Sequence, residues 1–470
     1  MTQRPNILLL VAEDTGRHQG CYGDPVNCTP AIDSIAENGA RYANACSTAP
    51  VCAPSRSALI MGKTAFSQGA HHMRSTLKNP PQLFTEALRE AGYYVNWSNK
   101  TDFNFEPRES FADERCNWFD ALAGGELKAQ PWLLYHNFEI THESRMWPEK
   151  SKKDVAPHLQ EAERVDPSTV PVPAYLADTP EIRADIARYY ESLILQDKQI
   201  ARALDALEKS GQRDNTIIIY LSDHGRGLLR EKRWLYDAGV HLPLIVNAPG
   251  LTRSGSVCEE LVSWLDISAT ILSLCGAKQI EGAQGRIFLG PDKQPEPNYI
   301  YAGRDRMDEV FDRIRMARSR RYHYIRNDFP ELPWALRLSY MEEQATTRQM
   351  RQLNLEGKLN AAQSAWFATQ KPAEELYDIE RDPDCVHNLA DDPDFAEILK
   401  SHREALTEFL ERTGDLGLQS ESELINEGLV ENCLPEYYQR VGALPVELRI
   451  GGIDEAPVEM PCPVKNTEEY

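Results

Sequence analysis

Asn6-Ile7-Leu8-Leu9-Leu10-Val11-Ala12-Glu13-Asp14 is the stretch that decides the fold. The apolar run Ile7 to Ala12 lacks the polar alternation of a half-exposed strand, so it predicts a parallel strand buried on both faces. Glu13 and Asp14 then fall at its carboxyl edge. Thr29-Pro30 predicts a helix start, with Ile32, Ile35 and Ala36 on one side and Gly39 as its stop. Leu83 to Ala91 repeats the helical pattern, Tyr93 to Trp97 predicts the next strand, and Trp132 to Phe138 another. Thr179-Pro180 opens the longest helix, which keeps its apolar spacing from Ile182 to Leu207 and ends at Gly211; the strand Thr216 to Leu221 follows at once. Strands alternating with helices predict an α/β domain: a mostly parallel central sheet with helices on both faces, whose ligands collect at the carboxyl ends of the strands.

The stretch from Glu143 to Asp178, rich in proline and charge, reads as a surface excursion. Near Tyr301 the pattern changes to short strands such as Tyr322 to Ile325, followed by a helix around Phe395 to Glu411. We therefore divide the chain into a catalytic domain, 1–300, and a smaller C-terminal α+β domain, 301–470, with a short antiparallel sheet, a helix and a tail that could pack on a second subunit as a homodimer.

Charge and cysteine usage narrow the partners. The 470 residues carry 51 basic and 72 acidic side chains, formally −21, which disfavours nucleic acid, anionic membranes and long polyanions. Ten irregularly spaced cysteines without a Cys-x-x-Cys pair argue for a reducing compartment. The amino terminus offers only six apolar residues before Glu13, too few for a signal peptide, and no apolar run approaches the roughly 20 residues of a membrane helix. The expectation is a soluble, cytoplasmic protein.

The chemistry centres on Cys52-Ala53-Pro54-Ser55-Arg56, which continues through Ser57-Ala58-Leu59-Ile60-Met61 to Gly62-Lys63. Pro54 suits a first helical turn and Gly62 a helix end, so Cys52 belongs at a helix amino terminus, where orphan amides and the dipole favour anions. A lone cysteine in such a motif can equally be a small buried apolar residue. Asp223-His224-Gly225 ends a second strand, so the topology would bring Glu13, Asp14, Asp223 and His224 together around a cation. Oxygen-rich ligation favours Ca²⁺, with Mg²⁺ or, given the imidazole, Mn²⁺ as alternatives.

Taken together, these motifs resemble the formylglycine-dependent type I sulfatases of the alkaline phosphatase superfamily. The Cys-x-Pro-Ser-Arg signature is matched by Cys52 to Arg56, the paired acids after the first strand by Glu13-Asp14, and the later metal motif by Ser222-Asp223-His224-Gly225. Glu13 departs from the family's aspartate. The resemblance continues through Lys232 in Lys232-Arg233-Trp234-Leu235-Tyr236-Asp237-Ala238-Gly239, through Val262 to Leu272, read as a helix, and through Glu375-Leu376-Tyr377-Asp378 to Asn388-Leu389. It implies an alkaline-phosphatase-like fold and conversion of Cys52 to formylglycine by a separate formylglycine-generating enzyme. Arg56 would hold the aldehyde hydrate, Lys232 would clamp sulfate, and His142 would act as acid beside the leaving group. Lys100 matches the family's Gly-Lys-x-His element, but Asp102 replaces its histidine. His71, His72 and Arg74, with Arg304 and Arg306 in the smaller domain, are candidate substrate contacts.

Asp178 to Asp185 resembles the N-sulfoglucosamine sulfohydrolase-like branch, which implies a small sulfated carbohydrate as substrate, as ester or sulfamate. The nearest rival is a phosphonate monoester or phosphodiester hydrolase of the same superfamily; a catalytically silent sugar-binding protein is a different class. A cysteine-dependent phosphatase fits poorly, because three residues separate Cys52 from Arg56 where a tyrosine phosphatase loop needs five.

Overall fold

The computed structural model describes residues 4–431, apart from Asn27, Lys128 and Glu309. Its strands run in chain order as β1 Asn6–Ala12, β2 Ala40–Cys46, β3 Thr76–Leu77, β4 Tyr94–Ser98, β5 Trp132–Phe138, β6 Thr216–Ser222 and β7 Leu244–Asn247. They continue as β8 Ser256–Ser263, β9 Ile300–Arg304, β10 Ile314–Arg318, β11 Tyr322–Asn327, β12 Glu374–Asp378 and β13 Val430–Glu431.

Seven strands form the main sheet in the order β4-β5-β1-β6-β7-β2-β8. Every pairing is parallel except those of β7, which runs antiparallel to both β6 and β2. Both faces are covered. On one, Ile7, Leu9, Val11, Ile217 and Ile219 meet the helices Cys52–Met61, Phe84–Glu90 and Trp264–Leu274. On the other, Leu8, Leu10, Ile218 and Tyr220 meet Pro30–Glu37, Phe119–Ala123 and Pro180–Lys209. This two-sided burial is why the strands read as unbroken apolar runs.

β9 to β12 form a four-stranded antiparallel sheet. The helix Ala396–Thr413 seals one face with Leu399, Leu406 and Phe409 against Tyr324 and Leu376. From the other face Met316, Ile325 and Tyr377 join a core that contains Cys52, Trp234 and Tyr236. The second sheet therefore backs the segment around Lys232.

Three expectations change. Val262 and Ser263 close β8, and the helix begins at Trp264, where the Ser263 side chain caps it. The 143–178 stretch is only partly a surface excursion, because Glu143, Ser144, Met146, Val155 and Val170 are buried. The tail assigned to a subunit contact lies, for residues 432–470, outside the described residues.

Candidate active site

β1 and β6 are neighbours in register, with Ala12 opposite Ser222, so Glu13-Asp14 and Asp223-His224 leave the sheet side by side. Asp14 adopts a left-handed backbone (φ 47°). Its N–H donates to Asp223 Oδ1 at 3.0 Å, and the His224 N–H reaches the same oxygen at 2.9 Å. Asp14 Oδ2 accepts from Lys232 Nζ at 2.7 Å and from the Glu143 N–H at 2.8 Å. Asp14 Oδ1 is buried and accepts no hydrogen bond among the described residues.

His224 Nδ1 lies 2.9 Å from the Gly225 carbonyl, to which it donates, so the Nε2 edge faces inward. That nitrogen is 3.1 Å from Cys52 Sγ, 3.2 Å from Asp14 Oδ1 and 3.6 Å from Asp223 Oδ2. One atom each from Asp14, Cys52, Asp223 and His224 falls within 4.8 Å of the others. Burial opposes charge on all of these groups, and neighbours overcome it. Asp223, Cys52 and Asp14 hold the His224 imidazole well above its ordinary range. Lys232 and His224 hold Asp14 well below the usual carboxylate range, and His224 and Arg56 hold Asp223 down. An Asp14 oxygen with no hydrogen bond among the described residues, the Asp223 carboxylate and, once a cation displaces its proton, the Nε2 edge of His224 converge in a dry site and form a donor set that fits a divalent cation.

Cys52 opens the helix Cys52–Met61, whose ten residues are all buried; Val51 enters extended and Gly62 closes it at φ 64°. One turn on, Ser55 Oγ donates to the Asp223 carbonyl at 2.6 Å. Arg56 grips Asp223 Oδ2 through Nε (3.0 Å) and Nη2 (2.7 Å), and also reaches Tyr135 Oη at 2.8 Å and Asn137 Oδ1 at 2.6 Å. Arg56 thus orients a metal-ligand candidate as well as adding positive charge beside Cys52.

Lys100 is carried by Asn99, a φ 62° residue whose side chain pairs with the backbone of Asn137 in both directions. Lys100 forms an ion pair with Glu13 and lies 3.4 Å from Asp102. Glu13, held above the usual range by burial, also accepts from Asn137 Nδ2 at 3.3 Å. Of the two acids after β1, Asp14 therefore enters the cluster with Cys52, and Glu13 turns toward Lys100. A ring nitrogen of His142 falls within 4.8 Å of carboxylate oxygens of Glu13 and Asp14. Burial, then Lys232, keeps that imidazole well below its ordinary range, hence neutral near pH 7.

The candidate substrate contacts separate into two groups. Arg74 is partly exposed and bonds Asp308 at 3.0 Å. Arg304 is fully buried, donates to the Arg233 carbonyl at 2.8 Å, pairs with Asp312 at 3.1 Å and lies over Trp234. Arg306 pairs with Glu421 at 2.9 Å and donates to the carbonyls of Met73 and Asp308. The head groups of Arg304 and Arg306 thus fasten protein segments together, a placement that differs from the substrate contact expected of them. His71 and His72 are buried with ring centroids 4.3 Å apart, and the Arg306 N–H donates to His72 Nδ1 at 3.3 Å.

Sequence reading missed Glu143 and Arg233. Glu143 takes both Arg233 Nη atoms at 2.6 and 2.8 Å and Lys232 Nζ at 2.8 Å, so it sets the angle of the lysine. Its adjacency to His142 was the available signal, obscured by the proline-rich text that follows. Among the described residues, eight non-glycine residues have positive φ, and six of them, Asp14, Arg74, Asn99, Asp102, Arg233 and Asp308, belong to this network. Left-handed backbone of this kind gathers where side chains must be aimed into a shared site.

The family model of the sulfatases matches residues 5–277. The chain belongs to the sulfatase family. An ulvan-active sulfatase of Formosa agariphila is 35% identical over 466 residues, covering 91% of this chain and 78% of the relative. Human N-sulphoglucosamine sulphohydrolase is 26% identical over 483 residues, covering 92% and 94%. Among solved structures, the 2-O glycosaminoglycan sulfatase BT1596 shares the fold with a TM-score of 0.64 at 22% identity, covering 88% of this chain and 93% of that one. The phosphonate monoester hydrolase of Agrobacterium radiobacter does so equally, with a TM-score of 0.64 at 18% identity, over 92% and 100%. The alkaline-phosphatase-like fold expected from the sequence is the one observed. The sulfatase is thus a hydrolase of sulfuric esters or sulfamates.

Proposed function

We propose that this sulfatase hydrolyses sulfate from a small carbohydrate, using Cys52 matured to formylglycine by a separate formylglycine-generating enzyme and one divalent cation, Ca²⁺ before Mg²⁺ or Mn²⁺. The observation that carries the reading is Cys52 Sγ at the head of a buried helix, 3.1 Å from His224 Nε2 and grouped with Asp14 and Asp223. Asp14, Asp223 and His224 would hold the cation, which supplies Lewis-acid polarisation of a sulfate oxygen. The aldehyde hydrate supplies two hydroxyls, one to attack sulfur and one to release sulfate afterwards. Lys232 and Lys100 offer ammonium groups to the sulfate oxygens, and Arg56 keeps Asp223 aimed at the cation. His142 would present its ring N–H to the departing atom as a hydrogen-bond donor.

The chain-long 35% identity to an ulvan-active sulfatase favours a sulfated ulvan oligosaccharide as substrate. The match to human N-sulphoglucosamine sulphohydrolase over nearly its full length supports a sulfamate as the second reading. Both fit the acidic chain, which would repel a long polyanion. The test measures sulfate release from ulvan oligosaccharides and from N-sulfoglucosamine, beside turnover of a phosphonate monoester, together with the mass of the peptide bearing Cys52. Sulfate release by protein carrying the aldehyde is the expected result. A strong phosphonate preference, or activity with Cys52 remaining a thiol, would overturn the reading.

A further inference from the structure

His142 is held by its neighbours in a way that fixes which ring nitrogen carries hydrogen. It stands before the short 3₁₀ turn Glu143–Met146 and acts as its N-cap, its side chain accepting from the Ser144 N–H. That N–H lies 3.3 Å from Nδ1, and Ser144 Oγ lies 2.9 Å from the same nitrogen. A backbone N–H can only donate, so Nδ1 must present its lone pair, and in a neutral imidazole the single hydrogen then resides on Nε2.

A second wall comes from a distant part of the chain. The Tyr340 ring meets His142 edge-on at 5.9 Å between centroids, and Trp147 packs on Tyr340 at 4.8 Å. The Tyr340 hydroxyl interacts with the Ser144 side chain. The Ser144 hydroxyl, 2.9 Å from Nδ1, adds a second donor to the lone pair that the backbone N–H already claims, and the Tyr340 ring closes that side of the imidazole. Ser144 is almost fully buried, so water does not compete for this geometry.

We propose that Ser144, braced by Tyr340, is a positioning residue that locks His142 as the Nε2–H tautomer, the form that presents a hydrogen to the departing oxygen. The proposal rests on the reading of His142 as the donor to the leaving group. A stabilised leaving group needs no such donor, and a sugar alkoxide does, so the effect depends on the substrate.

The experiment compares kcat for the matured wild-type enzyme and for Ser144→Ala, Tyr340→Phe and His142→Ala, on a sulfated ulvan oligosaccharide and on 4-nitrophenyl sulfate. His142→Ala should lose about 10²-fold or more on the oligosaccharide and far less on the aryl ester. Ser144→Ala, which keeps the backbone donor, should lose about tenfold on the oligosaccharide and under about twofold on the aryl ester, with Tyr340→Phe smaller in the same direction. Equal losses on both substrates, or no loss on either, for Ser144→Ala beside a leaving-group-dependent His142→Ala would overturn the tautomer role alone. A His142→Ala variant that loses equally on both substrates would overturn the donor reading, and the tautomer role with it.

Discussion

Gly227→Ala tests how tightly the catalytic loops are packed. A Cβ built on Gly227 would lie 2.1 Å from Glu143 Cβ, 2.9 Å from Glu143 Cα and 3.4 Å from Asp14 Oδ2. Carbon atoms settle at roughly 3.5 Å or more, so the Glu143 backbone must retreat by about 1.4 Å. That movement carries three functions at once. The Glu143 N–H holds Asp14, its carboxylate holds Lys232 and Arg233, and His142 precedes it directly. A misplacement of about 1 Å costs on the order of 10²-fold in rate, and overpacking costs about 1–3 kcal/mol of stability. Steady-state kinetics on the preferred sulfated saccharide should therefore show kcat/KM reduced about 10²-fold, with a modestly lower urea midpoint. A variant within twofold of wild type in kcat/KM would refute the rigid packing deduced for these loops.

Further expectations concern single contacts. Glu143→Gln removes the charge that two buried cations share and should cost up to about 3–5 kcal/mol in urea unfolding, with a raised KM; unchanged stability would contradict the bridge. Arg56→Lys keeps a positive charge but forfeits the fork on Asp223 and the bonds to Tyr135 and Asn137, so the divalent cation should bind about 10- to 100-fold more weakly by calorimetry. Asp197, which accepts from the N–H groups of Ala31 and Ile32, is pushed up to about 6 by burial. Because its folded value lies above the unfolded one, its contribution to stability is full below about pH 4 and fades as pH climbs through about 6. Against Asp197→Asn, wild type should lose up to about 3 kcal/mol between those limits; parallel stability–pH curves would contradict this.

The buried strands were legible because a sheet covered on both faces leaves no polar alternation, as in Ile7–Ala12 and Ile217–Leu221. β2 and β8 were not read as strands. Arg41, Glu259 and Glu260 interrupt their apolar text, and β8 is half exposed over its first five residues. β7 has only four residues and runs against its neighbours. Residues that follow a strand are readable from position, which is why Asp14, Asp223 and Lys100 could be placed at the ends of β1, β6 and β4. Glu143 and Arg233 act through long-range contacts, with each other across 90 positions and Glu143 with Asp14 across 129, and no local periodicity records such pairings. For Arg304 and Arg306, expected as substrate contacts, the local sequence does not disclose that Asp312 and Glu421 pair with their head groups.

Metal content bears most directly on the convergence of Asp14, Asp223 and His224 beside Cys52. Elemental analysis of wild type, Asp14→Asn and Asp223→Asn, paired with sulfate release before and after chelation, should give one divalent cation per wild-type chain. Both variants should lose it, and chelated wild type should fall silent until the cation is restored. Full activity after chelation, or an undiminished cation in both variants, would contradict the assignment.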